Sequence, residues 1–358
     1  MKKQLAIFSI LSVTLSFAQI VSVDFENQSE GAYTNALAKK DFVPRSGASN
    51  WYAMEQNNGQ NAKIVLDDQE HGKVLQLKYP VGCLGPNDDP LACAGQIKQP
   101  LTETAEEMWV AYELYFEEGF DFVKGGKLPG LCGGKCYTGG NRPSIGDGWS
   151  ARVMWRPDGK VVQYLYFVDQ AQTYGDDANW DLSGTANQKY FQIGTWHRLV
   201  TKITLNTVTN EGHGEKDGKI KSWFDGELAL DLDTLRLRDY ADQRIDIFYL
   251  STFHGGSDNT WSPTVDSYIR YDHFVISKDS IPVTSSTTRM ISTKQEIANK
   301  NFQIAIGNSV LLKTPLKEET CFDFYTLDGQ WYKTKTYAKE TTRISLPNEN
   351  KVFIIKTR

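Results

Sequence analysis

The residues with the clearest chemical potential lie between Gly148 and Asp169, GWSARVMWRPDGKVVQYLYFVD. Two runs rich in Val, Trp, Tyr, Leu and Phe flank Pro157-Asp158-Gly159, the composition of a three-residue hairpin loop with glycine in the left-handed position. Pairing Arg156 with Lys160 across that loop sets Arg152 opposite Tyr164 and Ser150 opposite Tyr166. Side chains alternate between the faces of a strand. One face then carries Ser150, Arg152, Met154, Val162, Tyr164 and Tyr166. The other carries Trp149, Ala151, Val153, Trp155, Val161, Gln163, Leu165 and Phe167, a core face apart from Gln163. A cation, a hydroxyl and two phenols gathered on one surface can hold an anion and move a proton. Tyr and Arg also decorate ordinary solvated sheets, so the segment upstream has to decide between the two readings.

That segment runs Phe120 to Gly130, FDFVKGGKLPG, and continues as a glycine-rich loop to Gly148. Lys124, Lys127, Lys135 and Arg142 fall within it, just before Arg152. A strand ending in KGGKLPG, a long loop and a polar-faced hairpin make a basic groove with a mobile edge. Loops of this length inside compact domains are more often functional or disordered than ordinary surface insertions.

KGGKLPGL, the Ser150-x-Arg152 pair and the Tyr164-x-Tyr166 pair together resemble polysaccharide lyase family 14, with DSYIRYDHFVIS similar to its closing strand. The resemblance extends from about Val21 to Ile276. It implies a concanavalin-like jelly roll and cleavage of alginate or a glucuronic-acid polymer, with functional residues at Lys127, Ser150, Arg152, Tyr164 and Tyr166. The acidic Cys83–Cys93 loop and the long glycine-rich lid depart from the family pattern and leave the choice of polymer open.

The chemistry is consistent on its own terms. Elimination across a uronate removes H5 and expels O4. A cation at the C6 carboxylate stabilises the charge that develops. A phenol serves as base or acid if neighbouring cations lower its pKa. Lys127 and Arg152 are therefore expected to meet the carboxylate, with Ser150 orienting it. Tyr164 and Tyr166 divide the proton transfers in an order left open. Lys124, Lys135, Arg142 and, at the groove rim, His254 are the expected substrate contacts, although a structural histidine also fits TFHGGSD. His197, His213 and His273 have no place in this scheme, and no metal or cofactor is expected. A non-catalytic sugar-binding module could use the same fold. A glycoside hydrolase would need two carboxylates flanking the bond; Glu113, Glu117 and Glu118 are available, but no acidic pair shares the hairpin face.

The elements that must position these groups read as short alternating segments. Val21–Phe25, Lys63–Leu66, Val74–Tyr79, Met108–Phe116, Trp196–Leu205, Ile220–Phe224, Ile247–Phe253 and Tyr268–Ile276 are expected strands, and Asp225-Gly226 marks a second hairpin turn. The fold class is all-β: a two-sheet antiparallel jelly roll over 19–277, a linker over 278–300 and a small β-sandwich-like domain over 301–358. Asp328-Gly329 is a turn in the last of these. FDFYTLDGQW and the terminal KVFIIKTR resemble the C-terminal sorting domain of Bacteroidetes type IX secretion substrates, which implies contact with secretion machinery.

Residues 1–18 read as a signal peptide: Lys2 and Lys3, an apolar run from Leu5 to Phe17, and Ser16-Phe17-Ala18 before the cut. The expected location is therefore outside the cell, and no segment is long and apolar enough for a membrane span. With 39 basic and 44 acidic residues the net charge is −5, so no global field draws nucleic acid. An acidic polysaccharide has to be met by the local basic cluster. Of five cysteines, sequence neighbours are expected to pair as Cys83–Cys93 and Cys132–Cys136, leaving Cys321 odd. Zinc is the competing use, but no His lies at metal-motif spacing.

Overall fold

Apolar residues at every second position give each strand one face to bury, and two sheets stacked on those faces form the molecule's main body. A computed structural model describes residues 19–67, 71–85, 92–182 and 187–284, and six strands between 302 and 357. The expected signal peptide and most of the expected linker lie outside the described residues.

The seven-stranded sheet has the order Asp176–Asn179, Val161–Tyr166, Gly148–Trp155, Gly126–Gly134, Ile245–His254, Gly95–Ala105, Trp51–Ala53. The nine-stranded sheet runs Glu227–Leu235, Gly218–Phe224, Trp196–Thr204, Glu107–Phe116, Ser267–Ser277, Gly72–Tyr79, Ala62–Asp67, Gly31–Ala32, with Gln19–Val23 also paired to Ser267–Ser277. All of these pairings are antiparallel, the arrangement of a two-sheet jelly roll. The first expected strand stops short at Val23 because Phe25 takes a left-handed φ of 57°. Gly126–Gly134 was legible only as a strand's end. It is a full strand despite a proline and four glycines, because it bulges between Leu128 and Gly130.

Trp149, Trp155, Leu128, Leu131 and Phe248 from one sheet meet Tyr112, Leu114, Phe116, Tyr271 and Phe274 from the other, all at most 2% exposed. Each such side chain contributes roughly 1.5–3 kcal/mol by leaving water. Phe42 stacks on Phe248 at 5.6 Å and meets Phe274 edge-on at 5.5 Å. The Tyr112 hydroxyl donates to the Pro129 carbonyl at 3.1 Å and ties the sheets together beneath the bulge. Cys83 is bonded to Cys93 and Cys132 to Cys136, so neither pair offers a thiolate to zinc. Among the described residues, no helix is long and apolar enough to cross a membrane.

The first compact unit runs to Thr284, past the end of alternation at Ser277. Ile281 is 5% exposed against Ala111 and Val200, and the Pro282 carbonyl accepts from Arg198 at 3.2 Å. The second unit begins at Ser285. Its described strands form a four-stranded antiparallel sheet (Phe302–Ala305, Phe353–Thr357, Thr320–Thr326, Trp331–Tyr337) and a pair (Ser309–Leu311, Arg343–Ser345).

Candidate active site

Asp158 and Gly159 take left-handed φ values of 61° and 78° and turn the chain between the two hairpin strands. Arg152 pairs with Tyr164 and Ser150 with Tyr166, the register set by Arg156 against Lys160. Trp149, Ala151, Val153, Trp155, Val161 and Leu165 join the main core, while Met154, Val162, Tyr164 and Tyr166 pack together on the opposite face. Gln163 is accommodated among the apolar residues because its amide donates to the Arg152 carbonyl at 2.9 Å and its oxygen accepts from Ser222 at 3.3 Å.

Glycines bring Lys127 to this face. A Cβ on Gly126 would lie 2.0 Å from the Trp155 ring, and one on Gly130 only 2.1 Å from the Ala151 carbonyl, so the KGGKLPG strand can approach the hairpin only as written. The half-buried Lys127 then holds its Nζ 4.7 Å from the Tyr164 ring centre and 3.2 Å from the Gly255 carbonyl. Arg152, 2% exposed, puts its guanidinium carbon 5.5 Å from the Tyr164 ring and 5.3 Å from that of Tyr249, and donates to Ser251 Oγ at 3.0 Å. Its Nε is buried without a hydrogen-bond partner. Arg156 is a third cation on the same ring, 5.7 Å away, held by a bidentate pair with Asp177 at 2.6 and 2.7 Å. The Tyr164 hydroxyl accepts from Gly175 N at 3.0 Å and that of Tyr166 from Gly140 N at 2.9 Å.

These groups line a cleft of about 820 Å³, together with Gln96, Tyr249, Phe253, Tyr174, Trp51 and Trp261. No carboxylate occurs among its described lining residues. Glu113 is instead paired with Arg198 and Glu117 with Arg270, and neither they nor Glu118 line the cleft where a glycoside hydrolase would need its two carboxylates.

Several expectations change. Tyr164 was expected to have a lowered pKa; burial, reinforced by the Tyr166 hydroxyl, pushes it up and outweighs Arg152. Lys127 moves the other way, held well below the ordinary lysine range by burial, then by Arg152 and Arg156. Ser150 does not face the cleft: its hydroxyl donates to the Tyr137 carbonyl at 2.7 Å and fastens the glycine-rich loop. That loop is tied rather than loose, through Cys132–Cys136, the Tyr137–Asp147 bond of 2.8 Å and Gly140 on Tyr166. His254 is fully buried among Tyr79, Phe120 and Trp155, with Nε2 2.6 Å from the Asp121 carbonyl, so it is a core residue and not a rim contact. Lys124 bonds Thr260 at 2.6 Å, Lys135 pairs with Asp147 at 2.6 Å and Arg142 is exposed; none of the three lines the cleft.

The residues that sequence reasoning missed carried a signal. Arg156 continues the period-two row of Ser150, Arg152 and Met154, and Tyr249, Ser251 and Phe253 form a second such row on the Ile245–His254 strand, across the Lys127 strand from the hairpin. Trp51, Tyr174 and Trp261 reach the cleft from elsewhere in the chain and left no comparable pattern.

Residues 67–274 match polysaccharide lyase 14. The chain belongs to that family. The lyase is similar in structure to alginate lyase Aly36B, with a TM-score of 0.57 and 25% identity over 74% of this chain and 97% of that one. The PL-14 alginate lyase of Aplysia kurodai (TM-score 0.54, 22% identity, 72% and 98% covered) and alginate lyase vAL-1 from Chlorella virus (0.53, 22%, 70% and 99%) share the fold. No curated protein matches the chain.

Proposed function

We propose that this lyase cleaves alginate or a related polyuronate by β-elimination, with Lys127 as base, Tyr164 as acid and Arg152 at the uronate carboxylate. The observation that carries the reading is one buried phenol ringed by three cations in a cleft whose described lining holds no carboxylate. A variant of Aly36B, 25% identical to this chain with a TM-score of 0.58, is described in complex with alginate trisaccharide, which supports a uronan as substrate.

The opposite pKa shifts support this division of the two proton transfers. An amine with a depressed pKa has a lone pair available near neutrality, whereas a phenol with a raised pKa keeps its proton for donation. Arg152 pairs with the C6 carboxylate, so that charge spreading from C5 is met by a guanidinium that is itself only 2% exposed. Lys127 takes the proton from C5. The C5–H electrons form the C4=C5 double bond, the C4–O4 bond breaks, and Tyr164 protonates O4. Solvent then returns the proton from the lysine to the phenol. Ser150 and Tyr166 act by positioning, the first through Tyr137 and the second through Gly140 and Tyr164.

On this reading the enzyme acts outside the cell, delivered by its leader and its sorting-type tail; detection of a secreted mature chain beginning at Gln19 would support this, and retention of residues 1–18 would argue against it. The activity test is ultraviolet absorbance of unsaturated ends across mannuronate-rich, guluronate-rich and glucuronan substrates. New reducing ends without a conjugated double bond indicate hydrolysis and overturn the reading. Binding without turnover makes the protein a sugar-binding module.

A further inference from the structure

We propose that His71, Asp272 and His273, on the nine-stranded sheet away from the catalytic hairpin, form a site for a divalent transition-metal ion. A β-bulge between Asp272 and Val275 creates the constellation. His273 is the extra residue, with a left-handed φ of 49°, and the irregularity puts it beside Asp272 where strict alternation would send it to the opposite face. Phe274 resumes the inward row and packs in the core. His71 arrives from the turn between the Ala62–Asp67 and Gly72–Tyr79 strands and is stacked on Trp196, with ring centres 3.9 Å apart and 14° between planes. One ligand atom from each of the three residues lies within 4.8 Å of the other two.

Two of these atoms lack a hydrogen-bond partner. Glu113 Oε2 sits 2.8 Å from His71 Nε2, and Arg198 holds the other carboxylate oxygen at 3.1 Å. A proton on Nε2 donated to Glu113 leaves Nδ1 as the lone-pair nitrogen, the arrangement by which a carboxylate orients a metal-bound imidazole. His71 Nδ1 is buried and has no hydrogen-bond partner; Asp67 Oδ2, the nearest acid, is 3.8 Å away. Asp272 Oδ2, on a side chain with 0% exposure, also has no hydrogen-bond partner, although His273 Nδ1 lies 3.0 Å from it without hydrogen-bonding geometry. His273 Nδ1 is also 3.3 Å from Glu113. A buried acceptor without a donor costs about 1–3 kcal/mol, and one cation shared by the three atoms answers both. Ligands about 2.1 Å from a tetrahedral ion stand about 3.4 Å apart; His273 Nδ1 and Asp272 Oδ2 are 3.0 Å apart, and the three ligand atoms lie within 4.8 Å of one another. Two imidazoles and one carboxylate suit zinc, nickel or copper better than calcium or magnesium. The bound ion would staple the His71 turn to the bulged strand.

The test uses the untagged full chain, stripped with chelator and then dialysed against zinc. The expected result is one zinc per chain retained, visible d–d bands on substitution with cobalt, and ~100-fold more folded over unfolded protein at a hundredfold excess over the dissociation constant. His273→Gln, at a side chain 45% exposed, should keep the fold and lose the metal; His71→Gln should lose it too. Elimination activity should survive removal of the metal. Absence of stoichiometric zinc in the wild type overturns the proposal, leaving a protonated His273 paired with Asp272 and Glu113. Zinc retention unchanged in both histidine variants overturns it equally.

Discussion

Tyr164 carries more of the site's logic than any other residue, since Lys127, Arg152 and Arg156 all converge on its ring. Tyr164→Phe should keep the fold, at a cost of about 1–3 kcal/mol for the lost Gly175 bond, and lower kcat by ~10²–10⁴, the usual contribution of a general acid or base. Lys127→Ala should do the same. Lys127→Arg should not rescue, because a guanidinium stays protonated. Near-wild-type turnover in both Tyr164→Phe and Lys127→Ala would end this assignment. The pH profile separates amine from phenol. With Lys127 as base, kcat rises as its proton leaves, so the acidic limb lies below the ordinary lysine range. Removing a cation relieves repulsion of the protonated amine and raises its pKa, so Arg156→Gln should move that limb to higher pH. A wild-type limb at or above about 10, where ordinary lysine and phenol both titrate, would remove the case for Lys127 as base.

At the level of elements, the site depends on how closely two strands approach. Gly130→Ala would push a methyl group into the Ala151 carbonyl. It should cost ~1–3 kcal/mol and weaken kcat through displacement of Lys127, measurable by urea unfolding alongside turnover. The hairpin was legible because period-two alternation fixes faces and the Pro-Asp-Gly turn fixes register. The KGGKLPG strand was legible only as a motif, since its pairing rests on a bulge that no periodicity announces. His254 was misplaced for a related reason: one polar residue in TFHGGSD does not reveal which side of its strand is buried. Burial holds its pKa down to about 4, against an unfolded value of 6.5. Because the folded value is the lower one, its stabilising contribution is complete above pH 6.5 and is lost as pH falls towards 4. That loss is on the order of 3 kcal/mol. His254→Gln should flatten unfolding free energy over this window relative to wild type; an equal slope would place the acid sensitivity elsewhere.

For the whole molecule, the informative boundary is where the catalytic body ends. Composition placed it at Ser277 because alternation stops there, and residues 278–284 have no period to betray that they pack. Yet Ile281 is buried on the outer face of the nine-stranded sheet with Val283 beside it, and Pro282 accepts from Arg198, the partner of Glu113. These contacts make the seven residues part of the jelly roll and not a spacer. A chain of residues 19–284 should therefore fold and keep kcat/KM within about twofold, since every described lining residue of the cleft lies before 262 and losses of that size are under 1 kcal/mol. A chain of residues 19–277 strips apolar cover from Ala111 and Val200 and takes a carbonyl from a buried guanidinium. It should be less stable by ~2–4 kcal/mol from the lost burial and hydrogen bond together, while turnover per folded molecule stays the same. Equal stability of the two chains would show that the 278–284 contacts contribute nothing. Loss of soluble protein from both would instead mean that the jelly roll depends on residues beyond Thr284.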